Sequence, residues 1–379
     1  MKRILAWPLL ACGLASLIGL WVVPSSATAA YPPARILAGP VFVQTDNLSG
    51  NAIVAYDRGA TGALTQVGEY PTQGLGGMLQ GSAADHTASQ DALTYDAGSR
   101  TLYAVNAGSN TISAFRVSAD HLQLVQVVSS GGTFPVSIAV HGDVVYVLNA
   151  LNGGSVQGYL SLGGYLVAVP GWNRSLGLNP TLTPQFVNTP GEVLFTPDGS
   201  NLIVTTKSNG NDIDVFHLGW LGTPSATPVV NSEPGQLPFG AVFDAGGHLV
   251  VAEAGTDSVQ SFSVSQSGVL TSVQQVGTGQ KATCWIVGAN GYFYASNAGS
   301  GDVSTYADSG NGALSGGATT VTDPGTVDAA VSGDGHNLYV QTGTNGIVDE
   351  FSIGAAGSLQ SIGSVVVPGG AGGEGIVAP

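Results

Sequence analysis

The stretch LYAVNAGSNTISAF at 102–115 returns nearly intact at 293–306 as FYASNAGSGDVSTY. A phrase written twice, almost two hundred residues apart, constrains the fold more than any other feature of the chain. Degraded copies fill the space between and around the pair: VFVQTDNLSGNAIVAY from Val41, VYVLNALNGGSVQGY from Val145, LIVTTKSNGNDIDVF from Leu202, LVVAEAGTDSVQSF from Leu249 and LYVQTGTNGIVDEF from Leu338. Each has an alternating apolar run, a Gly/Asn/Ser turn and a second alternating run. That is the period-two pattern of a half-buried antiparallel hairpin.

A shorter run precedes the hairpin in six copies: DALTY, SIAVH, EVLFT, GAVFD, CWIVG and DAAVS. A fourth follows it, as in LQLVQVV and LTSVQQV, and turns such as TPDGS separate the first run from the second. Four short strands per unit, repeated every mid-forties to fifties of residues, predict the blades of an all-β, seven-bladed β-propeller. The ends fit this reading. The first copy begins at its second strand near Val41, and AGGEGIVAP at 371–379 reads as an innermost strand lacking a hairpin. Joined, they complete one four-stranded antiparallel blade from both termini and close the ring, which hides its edges. No stretch shows the 3.6-residue periodicity that a helical bundle or a doubly wound fold requires. Residues 30–379 are expected to form this single domain.

Residues 1–29 read as a cleaved secretory signal. Lys2 and Arg3 lead an apolar run to Val23, Pro24 breaks it, and Ala27-Thr28-Ala29 offers small residues for cleavage. The rival is a retained anchor, since the run is long enough to span a bilayer. Cleavage would leave seven basic residues against 24 acids, a formal charge of −17. Such a chain repels phosphate backbones and anionic lipid surfaces, so neither nucleic acid nor a membrane is an expected partner. A secreted or periplasmic monomer acting on a small-molecule ligand or substrate is the expectation. Cys284 would be the one cysteine of the mature chain, so no internal disulfide forms despite an oxidising destination.

The phrases SIAV…GD…VYVLNA and TPDGSNLIVTTKSNGNDIDVF resemble the lactonase-type seven-bladed propellers, the family of phosphogluconolactonase and carboxymuconate lactonizing enzymes, related to YVTN-repeat proteins. The resemblance runs over essentially the whole mature chain and implies lactone chemistry, although fold does not fix function. Family members often read Pro-Arg-His at the step into an innermost strand, supplying cations for a substrate phosphate. Here the steps read Pro135-Val136-Ser137, Pro190-Gly191-Glu192 and Pro238-Phe239-Gly240. The departure implies a non-phosphorylated sugar acid or organic acid.

Equivalent positions of different blades converge on the propeller axis. Aligning the repeats puts Asp91, Ser137, Glu192, Gly240, Cys284, Asp328 and Gly375 in one ring. Three carboxyls brought together raise one another's pKa, so one can serve as base while another stays an acid. They could instead hold Ca²⁺, or simply cap their own loops. No other cofactor is indicated. A second ring holds Thr45, Asn106, Asn149, Thr206, Glu253, Asn297 and Thr342, most simply turn-stabilising residues. Glu253 breaks that pattern, and Lys207 follows Thr206 where it could polarise a carbonyl or neutralise the acids. His86, in the long loop before Asp91, either reaches the same mouth or lies in solvent. Arg174 could lean over the mouth or pack at the rim with Trp172, and Lys281 lies just before the ring. Cys284 reads as a small buried hydrophobe more readily than as a nucleophile.

Two functions fit. In one, a lactonase-like enzyme uses Glu192 as acid or base, assisted by Asp91, Asp328 or His86. Arg174, Lys207 or Lys281 would stabilise the oxyanion, with Glu253, Ser137 and Cys284 also at the substrate. In the other, a non-catalytic extracytoplasmic propeller holds a ligand or partner at the same mouth.

Overall fold

The computed structural model describes residues 38–379; the expected signal sequence and the first residues after it lie outside the described residues. Within that span are seven four-stranded sheets, each antiparallel and each ordered from axis to rim. Six of them are consecutive in sequence. The seventh takes its innermost strand, Ile376–Val377, from the C-terminal end and pairs it with Ala38–Gln44 (Phe42 opposite Val377, Val43 opposite Ile376). The closure predicted from the two ragged ends is therefore the one observed. Numbering blades from this composite one, the remaining innermost strands are Leu93–Asp96, Pro135–His141, Glu192–Phe195, Pro238–Phe243, Thr283–Ala289 and Thr326–Val331.

Hydrophobic alternation explains the layering. Second strands such as Thr101–Asn106 are buried along their whole length, because both faces meet neighbouring blades. Outermost strands such as Leu64–Pro71 are mostly exposed. Apolar clusters sit between adjacent blades. One joins Val41, Val43, Val54 and Tyr56 of blade 1 to Tyr339 and Val348 of blade 7. A buried tyrosine hydroxyl usually finds a partner, although those of Tyr56 and Tyr294 have none here. Two others reach the next blade: Tyr339 donates to the Gly62 carbonyl at 2.7 Å and Tyr146 to that of Gly222 at 2.8 Å. Arg58 clamps blade 1 to blade 7 through Asp334, with Nη2 to Oδ2 at 2.7 Å.

Two features shape the axis. Four innermost strands carry a register shift at their start, between Pro135 and Ser137, Pro238 and Ala241, Thr283 and Trp285, and Thr326 and Ala329. The long segment before blade 2 also enters the channel and plugs it. The Gln90 amide N–H donates to Gly191 of blade 4, its side-chain Nε2 to Ala241 of blade 5 at 3.3 Å, and its Oε1 accepts the Ile286 N–H of blade 6 at 2.9 Å. Ser89 Oγ donates to Val136 of blade 3 at 2.8 Å, and its carbonyl accepts the Trp285 indole N–H. Gly240 is glycine because a Cβ there would collide with Gln90 Oε1 and the Cys284 carbonyl. Among the described residues no helix is long and apolar enough to cross a membrane.

Candidate functional site

A cavity of about 510 Å³ opens on the face where the innermost strands end. Its walls are largely apolar (Leu93, Leu194, Val242, Ile286, Val377), and Asp91 and Glu192 stand at its floor. Glu192 is buried at 1% exposure, and its Oε2 accepts the Ala241 N–H. Its carboxyl is hydrogen-bonded to that of Asp91. Two carboxylates cannot occupy this geometry without a shared proton. Burial, the Asp91 charge and that hydrogen bond push the Glu192 pKa well above the ordinary value, so Glu192 carries the proton. Burial also raises Asp91, to about 6, with the hydrogen bond from Glu192 partly offsetting it. Near neutrality the pair is one acid and one base.

Asp328 lies behind this pair. Its Oδ1 accepts the Ala329 N–H at 2.9 Å and its Oδ2 the Ile376 N–H at 3.3 Å. A second carboxyl pair forms there with Glu374, fully buried, which donates to Asp328. Glu374 Oε2 also lies 3.1 and 3.3 Å from the Thr87 and Ser89 hydroxyl oxygens. Thr87 in turn bridges to Asp85, whose carboxylate caps the Thr87 and Ser89 N–H groups at 2.7 and 3.0 Å. Burial raises Asp328 and Glu374 far above the carboxylate range, and Asp85 above it. Ser137 is buried beside Glu192, its Oγ accepting the Val193 N–H at 3.1 Å. Asp91, Glu192 and Asp328 are thus brought together as the aligned repeats placed them.

Other candidates lie elsewhere. Cys284 does not line the cavity. The register shift between Thr283 and Trp285 turns it toward the opposite face, where burial pushes its thiol up to about 12. Lys207 is on that side too, fully buried, with Nζ donating to the Ala88 and Phe186 carbonyls at 2.6 Å each and lying 5.0 Å from the Phe239 ring centroid. Burial lowers its pKa to about 7, against the opposing pull of Asp85. Arg174 is in the outermost strand of blade 3, tying down the carbonyls of Ser225, Pro224, Gly171 and Asn173, while Trp172 stacks on Tyr146 instead. Lys281 is exposed in a turn. His86 faces away from the pair, its Nδ1 3.7 Å from Asp46 Oδ2. Glu253 is fully buried with both carboxyl oxygens unpartnered, and burial raises it to about 8. None of the three expected cations, Arg174, Lys207 and Lys281, lines the cavity, so an oxyanion there would be met by the protonated Glu192 and not by Lys or Arg. Among the described residues no group of three His, Cys, Asp or Glu side chains is placed to hold a metal ion.

The alignment of repeats missed Glu374, Asp85 and Asp46. Asp46 had a usable signal: the residue after the second ring is Ala107, Ala150, Ala254, Ala298 or Gly343 in five blades, but Asp46 and Lys207 in the other two. Glu374 stands where other blades have Val136, Phe239 or Val327. Asp85 had none, since it belongs to the plug and to no repeat.

Residues 46–157 match the family model for "Lactonase, 7-bladed beta-propeller". Among curated proteins, none matches this sequence. Solved structures similar in fold include a Bacteroides fragilis protein described as a "putative 6-phosphogluconolactonase" (TM-score 0.72, 18% identity, 91% of this chain and 99% of that one). The Pseudomonas aeruginosa periplasmic gluconolactonase superposes with TM-score 0.71 at 19% identity, over 89% of this chain and 98% of that one. A Lactobacillus plantarum protein gives 0.71 at 18%, over 90% and 99%. At such identities the superpositions speak for the fold alone. Together with the seven closed blades they establish a seven-bladed β-propeller, within which residues 46–157 are similar to the lactonase-type members of that fold.

Proposed function

We propose that the protein hydrolyses a neutral, non-phosphorylated lactone, with the Asp91–Glu192 pair as its acid and base. The observation that carries this reading is a single-proton carboxyl pair at the floor of a cavity whose lining holds no Lys, Arg or His. In the reaction, Asp91 takes a proton from water as its oxygen attacks the lactone carbonyl, and Glu192 donates to the carbonyl oxygen. The tetrahedral intermediate then collapses. The ring C–O bond breaks, the leaving oxygen takes the proton from Asp91, and Glu192 recovers its own from the new carboxyl group. Lactone and water become a hydroxy acid. An anionic substrate would meet carboxyls and no cation, so phosphorylated sugars are poor candidates. The same reading places the protein outside the cytoplasm as a monomer, resting on its N-terminal sequence and acidic surface.

The test is acid release by pH-stat from a panel of neutral lactones, using the full chain, Glu192→Gln and Asp91→Asn. Each substitution should lower turnover by about 10²-fold or more while circular dichroism stays unchanged. Wild-type rates in both variants would remove the pair from the mechanism. The carboxyl oxygens are spent on one another and on the N–H groups of Ala241, Ala329, Ile376 and Ala92, so a chelator should change nothing. Loss on chelation would instead reinstate Ca²⁺ at the acidic cluster. A cavity without a cation to polarise a carbonyl also suits a non-catalytic ligand-binding propeller, and binding of a lactone without its consumption would favour that reading.

A further inference from the structure

The channel plug divides the axis into two chambers. Trp285 lines the second while its neighbour Ile286 lines the cavity of the carboxyl pair. The second is a cleft of about 340 Å³ on the face where the innermost strands begin. It is bounded by the plug (Ala84, Ala88), the short helix Gln185–Asn188, and the starts of blades 5 and 6. Phe239 and Trp285 form a tilted aromatic corner, with ring centroids 4.8 Å apart at 57°, and Phe186 and Leu237 are also in its walls. From this geometry we infer that the cleft binds a neutral, ring-bearing small molecule, aromatic or alicyclic, independently of any chemistry at the carboxyl pair.

Three observations lead there. The cleft is apolar on nearly every side and of a size at the low end for small-molecule sites, about 300 Å³. Its walls are also pinned in place. Lys207 holds the Ala88 carbonyl of the plug and the Phe186 carbonyl of the helix with one ammonium group, and Trp285 is fixed by its bond to Ser89. Closing the cleft would break the buried hydrogen bonds from Lys207 Nζ to two carbonyls, so it persists as a preformed site. Finally, its polar groups are already satisfied. Both Asp85 oxygens accept from the Thr87 and Ser89 amides, and the Lys207 ammonium serves two carbonyls. A charged ligand would be desolvated against apolar walls without a partner, whereas a flat ring would fill the corner between Phe239 and Trp285. The Cys284 thiol, also in the lining, offers a reporter.

The probe is N-phenylnaphthylamine, a neutral aromatic dye that fluoresces when desolvated. Titrated into the full chain, it should show saturable binding at one site. In Ala298→Phe, which places a ring inside the cleft, its affinity should fall roughly tenfold or more. A second measurement needs no variant. Iodoacetamide alkylation of Cys284, run at pH 9 over hours because burial leaves little of the thiol as thiolate and followed by peptide mass spectrometry, should slow roughly tenfold at a free dye concentration ten times Kd. No saturable binding, binding undiminished in a folded Ala298→Phe protein, or an alkylation rate indifferent to saturating dye would each overturn the assignment.

Discussion

Glu253→Gln is expected to stabilise the protein, and by an amount that depends on pH. Six blades carry Thr or Asn at this position in the second ring; blade 5 carries a fully buried glutamate with neither oxygen partnered. Burial, with a smaller contribution from Glu233, raises its pKa from 4.5 to about 8. The folded protein therefore holds a proton that the unfolded chain gives up across this interval. The sign follows from linkage: stability is intact below pH 4.5 and is lost progressively as pH rises toward 8. Between 4.5 and pH 7 lie about two and a half pH units, each worth about 1.4 kcal/mol, for a cost of about 3 kcal/mol at neutrality. Glutamine keeps the shape and cannot ionise. It should add nothing at pH 4, about 3 kcal/mol at pH 7 and somewhat more at pH 8.5. For a ring of this size that is a rise in Tm of about 4 °C at pH 7. Urea denaturation of both proteins at the three pH values, followed by tryptophan fluorescence, reads the difference directly. Equal stability at every pH, or a variant weaker at pH 7, would refute the claim that Glu253 is an uncompensated buried acid.

The lactone turnover should be bell-shaped in pH, rising as Asp91 ionises near pH 6 and falling at higher pH once the Glu192 proton is lost; a rate that does not change through pH 6 would contradict a single-proton pair. Gln90→Ala should cost about 2–4 kcal/mol in urea denaturation, because the buried Ile286 N–H and Ala241 C=O lose their partner. A cost under about 1 kcal/mol would mean that the plug does not brace the axis. Deleting residues 373–379 removes the closing strand and Glu374 together. The truncated protein should lose its cooperative thermal transition and near-ultraviolet circular dichroism, and retention of both would show that the ring needs no terminal closure.

Nearly all of the architecture was legible in the sequence, because each blade repeats the same alternation and equivalent residues share a phase about the axis. That phase also brought Asp91, Glu192 and Asp328 together on paper, across as much as 237 positions of chain. It misplaced Cys284 for a local reason. Trp285 pairs with Ser296 as Ser137 pairs with Leu148, so Cys284 is the equivalent of the bulged Val136 and the alignment of repeats is one residue off in blade 6, which the letters KATCWIV do not reveal. Arg174 and Lys281 were read from their nearness in sequence to the mouth, yet Arg174 finds four carbonyls at the rim of blade 3. The plug was the least readable part. Asp85, Ser89 and Gln90 owe their positions to bonds with several different blades, and no local propensity encodes such contacts.

The composite blade has a consequence for when the cavity of this protein is complete. Synthesis proceeds from the N-terminal side, so residues 374–379 emerge after every other strand of the ring. Until they dock, Ala38–Gln44 has a bare edge, Asp328 lacks the Ile376 N–H, and Glu374 is missing from the acidic cluster. The cavity also lacks a wall, which Ile376, Val377, Ala378 and Pro379 supply. A ring of six finished blades therefore has the acid–base pair in outline but no enclosed chamber around it. The few residues that lock the circle also complete the chamber, so an incompletely made or C-terminally clipped chain lacks the enclosed cavity by construction.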